Sequence, residues 1–225
     1  MYSGLDEIKV TSPLMFTNQI ISPEKVQTLM SFHTQTYKLT GTAPLIMHNC
    51  QLANPLNKYA KQLKEISSKR KKVDADHEAM AKTEYFGGLY MDENGPIIPG
   101  VMIEAAIRSG AKKTREGKDV QSAVFTDRDF KLEYDGPRTA DELFADDNFR
   151  DGTLVTVQRA KILRTRPRFN EWTAEVTLQY EDTVVTKKKL TEWLTTAGQQ
   201  CGIGDWRPRF GRFSVEEIKK NHKNK

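Results

Sequence analysis

Alternation of apolar and polar positions is clearest between residues 153 and 181. "TLVTVQRAKILRT" runs to Arg166-Pro167. "EWTAEVTLQY" then returns, with Trp172, Ala174, Val176, Leu178 and Tyr180 on one face and Glu171, Thr173, Glu175, Thr177 and Gln179 on the other. A period of two with one covered face predicts an antiparallel hairpin. Further strands are expected in "TQTYKLTGTAPLIMHN", where Tyr37 and Leu39 alternate until Pro44 interrupts, in "FTDRDFKLEYD" at 125–135, and in "GRFSVEEIK". Asn94-Gly95 is a tight hairpin turn between two short strands.

The period changes to the helical one in two places. In "VMIEAAIRSG", Met102, Ala105, Ala106 and Ser109 fall on one face, and in "TKKKLTEWLTTAGQQ" so do Leu190, Trp193, Leu194 and Ala197. Residues 51–84 read as a charged helical insertion. Asn54-Pro55 opens it, the basic run "KRKK" at 69–72 ends its first helix as a solvated terminus, and Asp74 caps a second helix. Residues 137–151 are expected to form an acidic, exposed loop. With the insertions set aside, the order is strand, helix, strand pair, helix, strand. That is an α+β, ferredoxin-like (RRM-like) plan: an antiparallel sheet with two core helices, plus a helical insertion and a long β-hairpin. The expected organisation is an arm over 1–34, with a short helix starting at Ser22-Pro23, a main domain over 35–218, and a basic tail over 219–225.

Composition narrows this picture. At 225 residues and 37% hydrophobic content, with ten Phe, seven Tyr and three Trp, the chain can bury one core. No run approaches the roughly 18 apolar residues of a membrane span, and the first residues have no signal-peptide pattern. Cys50 and Cys201 stand far apart and outside any CxxC, and the four histidines are scattered. This pattern fits a cytoplasmic protein and supports neither a metal site nor a cofactor. The net charge of +5 is mild, so its distribution matters more than its sum.

That distribution has one concentration. "GIGDWRPRFGRF", Gly202 to Phe213, holds three glycines, three arginines and three aromatics, and its RPRF repeats Arg166-Pro167-Arg168-Phe169. The loop falls between the last helix and the last strand. Gly202 and Gly204 can take positive φ and turn backbone N–H groups outward, which suits a phosphate. Arg207, Arg209 and Arg212 supply guanidinium forks, and Trp206 a stacking face. Phe213, at the strand start, reads as core. The first RPRF is expected at a hairpin tip, with Arg164, Arg166 and Arg168 along one face and Lys161 nearby. Both turns are expected to grip one polyanion.

Three segments, in order, resemble the RAMP superfamily, the ferredoxin-like RNA-binding proteins of CRISPR RNA-guided complexes. "LTGTAPLIMHN" is similar to the family's opening strand and "GPIIPGVMIEAAIRSG" to its Pro-Gly helix start. "CGIGDWRPRFGRF" resembles its glycine-rich loop. Glu104, Asp205 and Pro208 stand where the family places a basic residue or glycine. The resemblance implies a backbone-type subunit in antiviral defence, or a stand-alone or mobile-element relative. Its partner is then single-stranded RNA, with self-assembly along the strand or contact with other complex subunits. In such subunits a hairpin thumb reaches over the nucleic acid held by the next copy.

Three functions are weighed. The first is a single-stranded nucleic-acid binder, for RNA or single-stranded DNA. The second is a metal-independent endoribonuclease for CRISPR-type RNA, resting on the weak candidate His48. The third is an interaction protein that uses the arm and the acidic loop. Asp127 and Asp129 could serve a metal-using subunit, but their spacing selects nothing, and no GKS/T loop, nucleophile elbow or HExxH is present. The reading leans against an enzyme.

Overall fold

The structure is a computed structural model that describes residues 31–157 and 159–219. The expected N-terminal helix, most of the arm and the basic tail beyond Lys219 lie outside the described residues. The first half of the chain forms β1 (Phe32–Gly41), β2 (Leu45–Ile46), α1 (Lys58–Ser67), α2 (Asp74–Gly88), β3 (Met91–Asp92), β4 (Gly95–Ile98) and α3 (Gly100–Ala111). The second half adds α4 (Gly117–Ala123), β5 (Val124–Phe125), β6 (Phe130–Lys131), α5 (Ala140–Ala145), β7 (Arg150–Val157), β8 (Ala160–Phe169), β9 (Thr173–Glu181), α6 (Lys187–Thr196) and β10 (Phe213–Ile218). No described helix is long and apolar enough to cross a membrane.

The main sheet runs β10-β1-β9-β5. These are the fourth, first, third and second strands of a β-α-β-β-α-β chain, so the fold is ferredoxin-like. Register explains its covered face. Tyr37 lies opposite Val176 and Leu39 opposite Ala174, and all four are almost wholly buried. Against them α3 places Ile103, Ala106 and Ile107, and α6 places Leu190, Trp193 and Leu194. Burying each large apolar side chain here favours folding by about 1.5–3 kcal/mol. The face expected for α6 is the one buried. For α3 the buried face centres on Ile103, Ala106 and Ile107, with Met102 and Ser109 at its margin.

Several local expectations are corrected. The first insertion helix starts at Lys58, where the Asn57 side chain accepts from the Tyr59 N–H at 2.9 Å, rather than at Asn54-Pro55. At the start of α2 it is the Asp76 carboxylate, not Asp74, that accepts the Val73 N–H at 3.1 Å. The strand expected over 125–135 is two short pieces, β5 and β6, in different sheets.

The largest correction concerns the central strand pair. β9 belongs to the main sheet, whereas β8 pairs with β7 and β2 outside it. The second core strand is β5. Strands β8 and β9 each cover one face, and a period of two says nothing about which partner covers it. Thr165, Pro167 and Phe169 of β8 turn inward, with Phe169 against Tyr134 and Phe149 at ring distances of 4.8 and 5.9 Å.

The sheet's open face is polar. It carries Thr36, Lys38 and Thr40 beside Thr173, Glu175 and Thr177, and Lys38 faces Glu175 on one side and Glu216 on the other. Its aromatics sit at one corner, Phe32 and Phe125, 6.2 Å apart. Two carboxylates around one ammonium do not suit a polyanion, so the open face is a poor platform for nucleic acid.

Candidate nucleic-acid interface

The glycine-rich loop begins where α6 runs into a π-helical turn, Ala197–Cys201. It is stitched to the segment after β1. The Asp205 N–H donates to the Ile46 carbonyl at 2.8 Å, and the Gly211 N–H donates to Pro44 at 2.8 Å. The Ile203 N–H closes the loop on the Gly211 carbonyl at 2.9 Å. Two glycines are required by space as well as by φ. A Cβ on Gly204 (φ 75°) would sit 2.4 Å from the Ile46 oxygen, and one on Gly211 (φ 69°) 1.8 Å from the Ile203 oxygen. The expectation that both Gly202 and Gly204 turn N–H groups outward is corrected. Gly202 donates to the Ala197 carbonyl at 2.8 Å. Among the described residues, Gly204, Trp206, Arg207 and Arg209 make no backbone-to-backbone donation.

What this rigid base displays is cationic and aromatic. Arg207, Arg209 and Arg212 are exposed, and among the described residues none of them makes an ion pair. Trp206 is 43% exposed and lies 5.4 Å from the Phe210 ring. The Arg209 guanidinium sits 5.8 Å from each of these rings, which holds it over an aromatic surface. Phe213 is core, as read from the sequence, and packs on Trp172 at 6.2 Å.

The first RPRF lies elsewhere than expected. It is within β8, with Arg166 paired to Asp151 and Pro167 to Arg150, whereas the turn joins Val157 to Ala160. Its basic face is largely spent. Arg164 is bound by Glu84 of α2, a carboxylate only 7% exposed that also accepts the Thr165 N–H at 2.9 Å. Arg166, 12% exposed, has its Nε 3.1 Å from Asp205 of the glycine-rich loop. That approach is off-angle, and among the described residues the buried Nε and Nη1 find no hydrogen-bond partner. Arg168 donates from Nε to Asn170 at 2.8 Å, and Lys161 is exposed near the hairpin turn. The first RPRF therefore meets the glycine-rich loop through Arg166 and Asp205, and among the described residues of the two segments only the second presents exposed guanidinium groups.

The remaining sequence candidates are placed as follows. His48 is exposed after β2, and its backbone carbonyl accepts the Tyr90 hydroxyl at 3.4 Å. The Tyr90 phenol is pushed above its usual range by burial first, with nearby Cys50 and Asp205 adding to it. Asp129 accepts the Gly100 N–H at 2.9 Å and so caps α3. Asp127 lies 3.5 Å from Gln179. Among the described residues no group of three acidic, His or Cys side chains could hold a metal. Lys69 of the basic run is paired with Asp76.

Sequence reasoning missed Glu84 and the role of Asp205. An acid inside the apolar run "TEYFGG" is the signal that marks Glu84. Nothing local marks Asp205, whose partner lies 39 residues away in another element.

No protein-family model matches the chain, and no curated protein matches it. Among solved structures, the chain is similar to Cmr6 from Pyrococcus furiosus at a TM-score of 0.37 and 11% identity, over 83% of this chain and 99% of that one.

Proposed function

We propose that this chain is a RAMP-type protein that binds single-stranded RNA through its glycine-rich loop, as a subunit of an RNA-guided complex. The observation that carries the reading is the display on one stitched loop of three exposed arginines, without ion pairs among the described residues, beside an exposed Trp206 and a half-buried Phe210. Guanidinium forks match phosphate oxygens, and an aromatic face stacks on any base. Three segment resemblances support the family, and a ferredoxin-like fold accommodates it. The binding residues are Arg207, Arg209, Arg212 and Trp206, with Gly204 letting the backbone come close. Lys161 and Arg168 extend the basic surface along β8.

Three to four phosphate contacts follow, because Arg164 and Arg166 are engaged within the protein. On single strands log K should then fall with log salt at a slope of about −2 to −3. A titration against matched RNA, single-stranded DNA and duplex tests this. A salt-insensitive affinity or a preference for duplex would refute it. Running the bound RNA on a denaturing gel tests cleavage, and site-specific cuts lost in His48→Ala would establish the endoribonuclease reading instead.

A further inference from the structure

Beside the exposed Trp206 ring is an open pocket of about 460 Å³, bounded by the loop, by Gln200 of the π turn and by Ser109 of α3. That is room for one small-molecule-sized group. Its polar lining is unusual for a site that binds polyanions, because it contains a carboxylate. Asp205 is one-third exposed, its backbone N–H is fixed on the Ile46 carbonyl, and its Oδ2 faces the Arg166 Nε at 3.1 Å. Ser109 donates its hydroxyl proton to the Ala105 carbonyl at 2.8 Å, so toward the pocket its oxygen can only accept. Arg207, on the same rim, can only donate.

We propose that this pocket selects a guanine base in the bound strand. Stacked on Trp206, guanine presents two adjacent donors, N1–H and the 2-amino group, which match a carboxylate that accepts two hydrogen bonds. Its opposite edge presents O6 and N7, acceptors that point away from the carboxylate. Adenine would turn the N1 lone pair toward the Asp205 carboxylate. Uracil would place carbonyl oxygens on either side of its single donor. Cytosine offers one donor group beside an acceptor. Asp205 is therefore a specificity-determining residue, and Arg166 positions it. The inference rests on the reading of the loop as a nucleic-acid site and adds a base preference to it.

The test is fluorescence-anisotropy titration of labelled RNA octamers, oligo(U) with one central G, A, C or inosine, against the intact chain. A well-made bidentate contact discriminates by roughly 5- to 150-fold, so G should bind tighter than A by a factor in that range. Inosine keeps N1–H and lacks the 2-amino group, and should fall between them. Asp205→Asn should bring the G-to-A ratio close to one. The inosine series needs no variant and holds even if that substitution impairs folding. Equal affinity for G and A, with oligo(U) still bound, overturns the pocket and leaves the loop reading intact. No binding of any octamer overturns both.

Discussion

Replacing Arg207 and Arg209 together by alanine, and Arg164 and Arg166 together by alanine, removes two charges each time but should do different things. The first pair is exposed and outside any ion pair among the described residues. Each lost phosphate contact reduces the salt slope by about 0.7 on a single strand, so the double substitution removes about 1.4. Between 1 M and 0.05 M salt, two such contacts amount to about 1.8 decades, so at 0.05 M the variant should bind about 60-fold more weakly. Its melting temperature should hardly move, since exposed charge changes stay within about 0.5 kcal/mol each. In the second pair, losing Arg164 strands the buried Glu84 carboxylate. Breaking a fully buried pair costs about 3–5 kcal/mol, but Arg164 is 35% exposed and water can partly replace it, so about 2 kcal/mol is expected. Losing Arg166 adds little, since Asp205 is 34% exposed and readily solvated. For a chain of this size that is a fall in Tm of about 4–8 °C, with the salt slope unchanged. Anisotropy titrations at four salt concentrations, with thermal melts of the same samples, read both effects. If the 164/166 variant lost salt slope and kept its Tm, the assignment of Arg164 and Arg166 to internal pairing would be refuted.

This contrast shows where sequence reading stops. The alternation in β9 and the spacing in α6 identified their buried faces residue by residue, because burial acts through local periods that the chain carries openly. The glycine-rich loop was legible for a similar reason: positive φ and tight packing leave few residue choices at Gly204 and Gly211. What the chain does not carry locally is pairing across distance. The segment 161–168 reads as a continuous basic face, and three of its charges are as basic as any in the loop. The availability of Arg164 and Arg166 is decided by Glu84 and Asp205, which the fold brings in from α2 and from the loop after α6. The same limit explains the misassigned core strand, since two-residue β5 is too short to show a period, while the longer β8 shows one and pairs elsewhere.

The remaining predictions concern single residues. Trp206→Ala should weaken binding by about 1–3 kcal/mol without changing the salt slope, because stacking carries no counterions; a changed slope would mean the ring positions Arg209 instead. Arg166→Met should leave thermal stability unchanged or raise it, because it removes buried donors that lack hydrogen bonds. A Tm loss like that predicted for the Arg164/Arg166 double variant would show that the Asp205 pair is stabilising after all. The last prediction tests packing behind the loop through pH. The Lys189 ammonium first, then the Thr114 hydroxyl and the Trp193 indole N–H, hold the Glu116 carboxyl down to about 2 from an ordinary 4.5. A carboxyl depressed in the folded state contributes stability above its unfolded value and loses it as pH falls toward the folded one. Glu116→Gln should therefore melt below the parent at pH 6, and the two curves should converge between about pH 4.5 and 2. Parallel curves across that window would mean that Glu116 does not anchor α6, and with it the start of the loop.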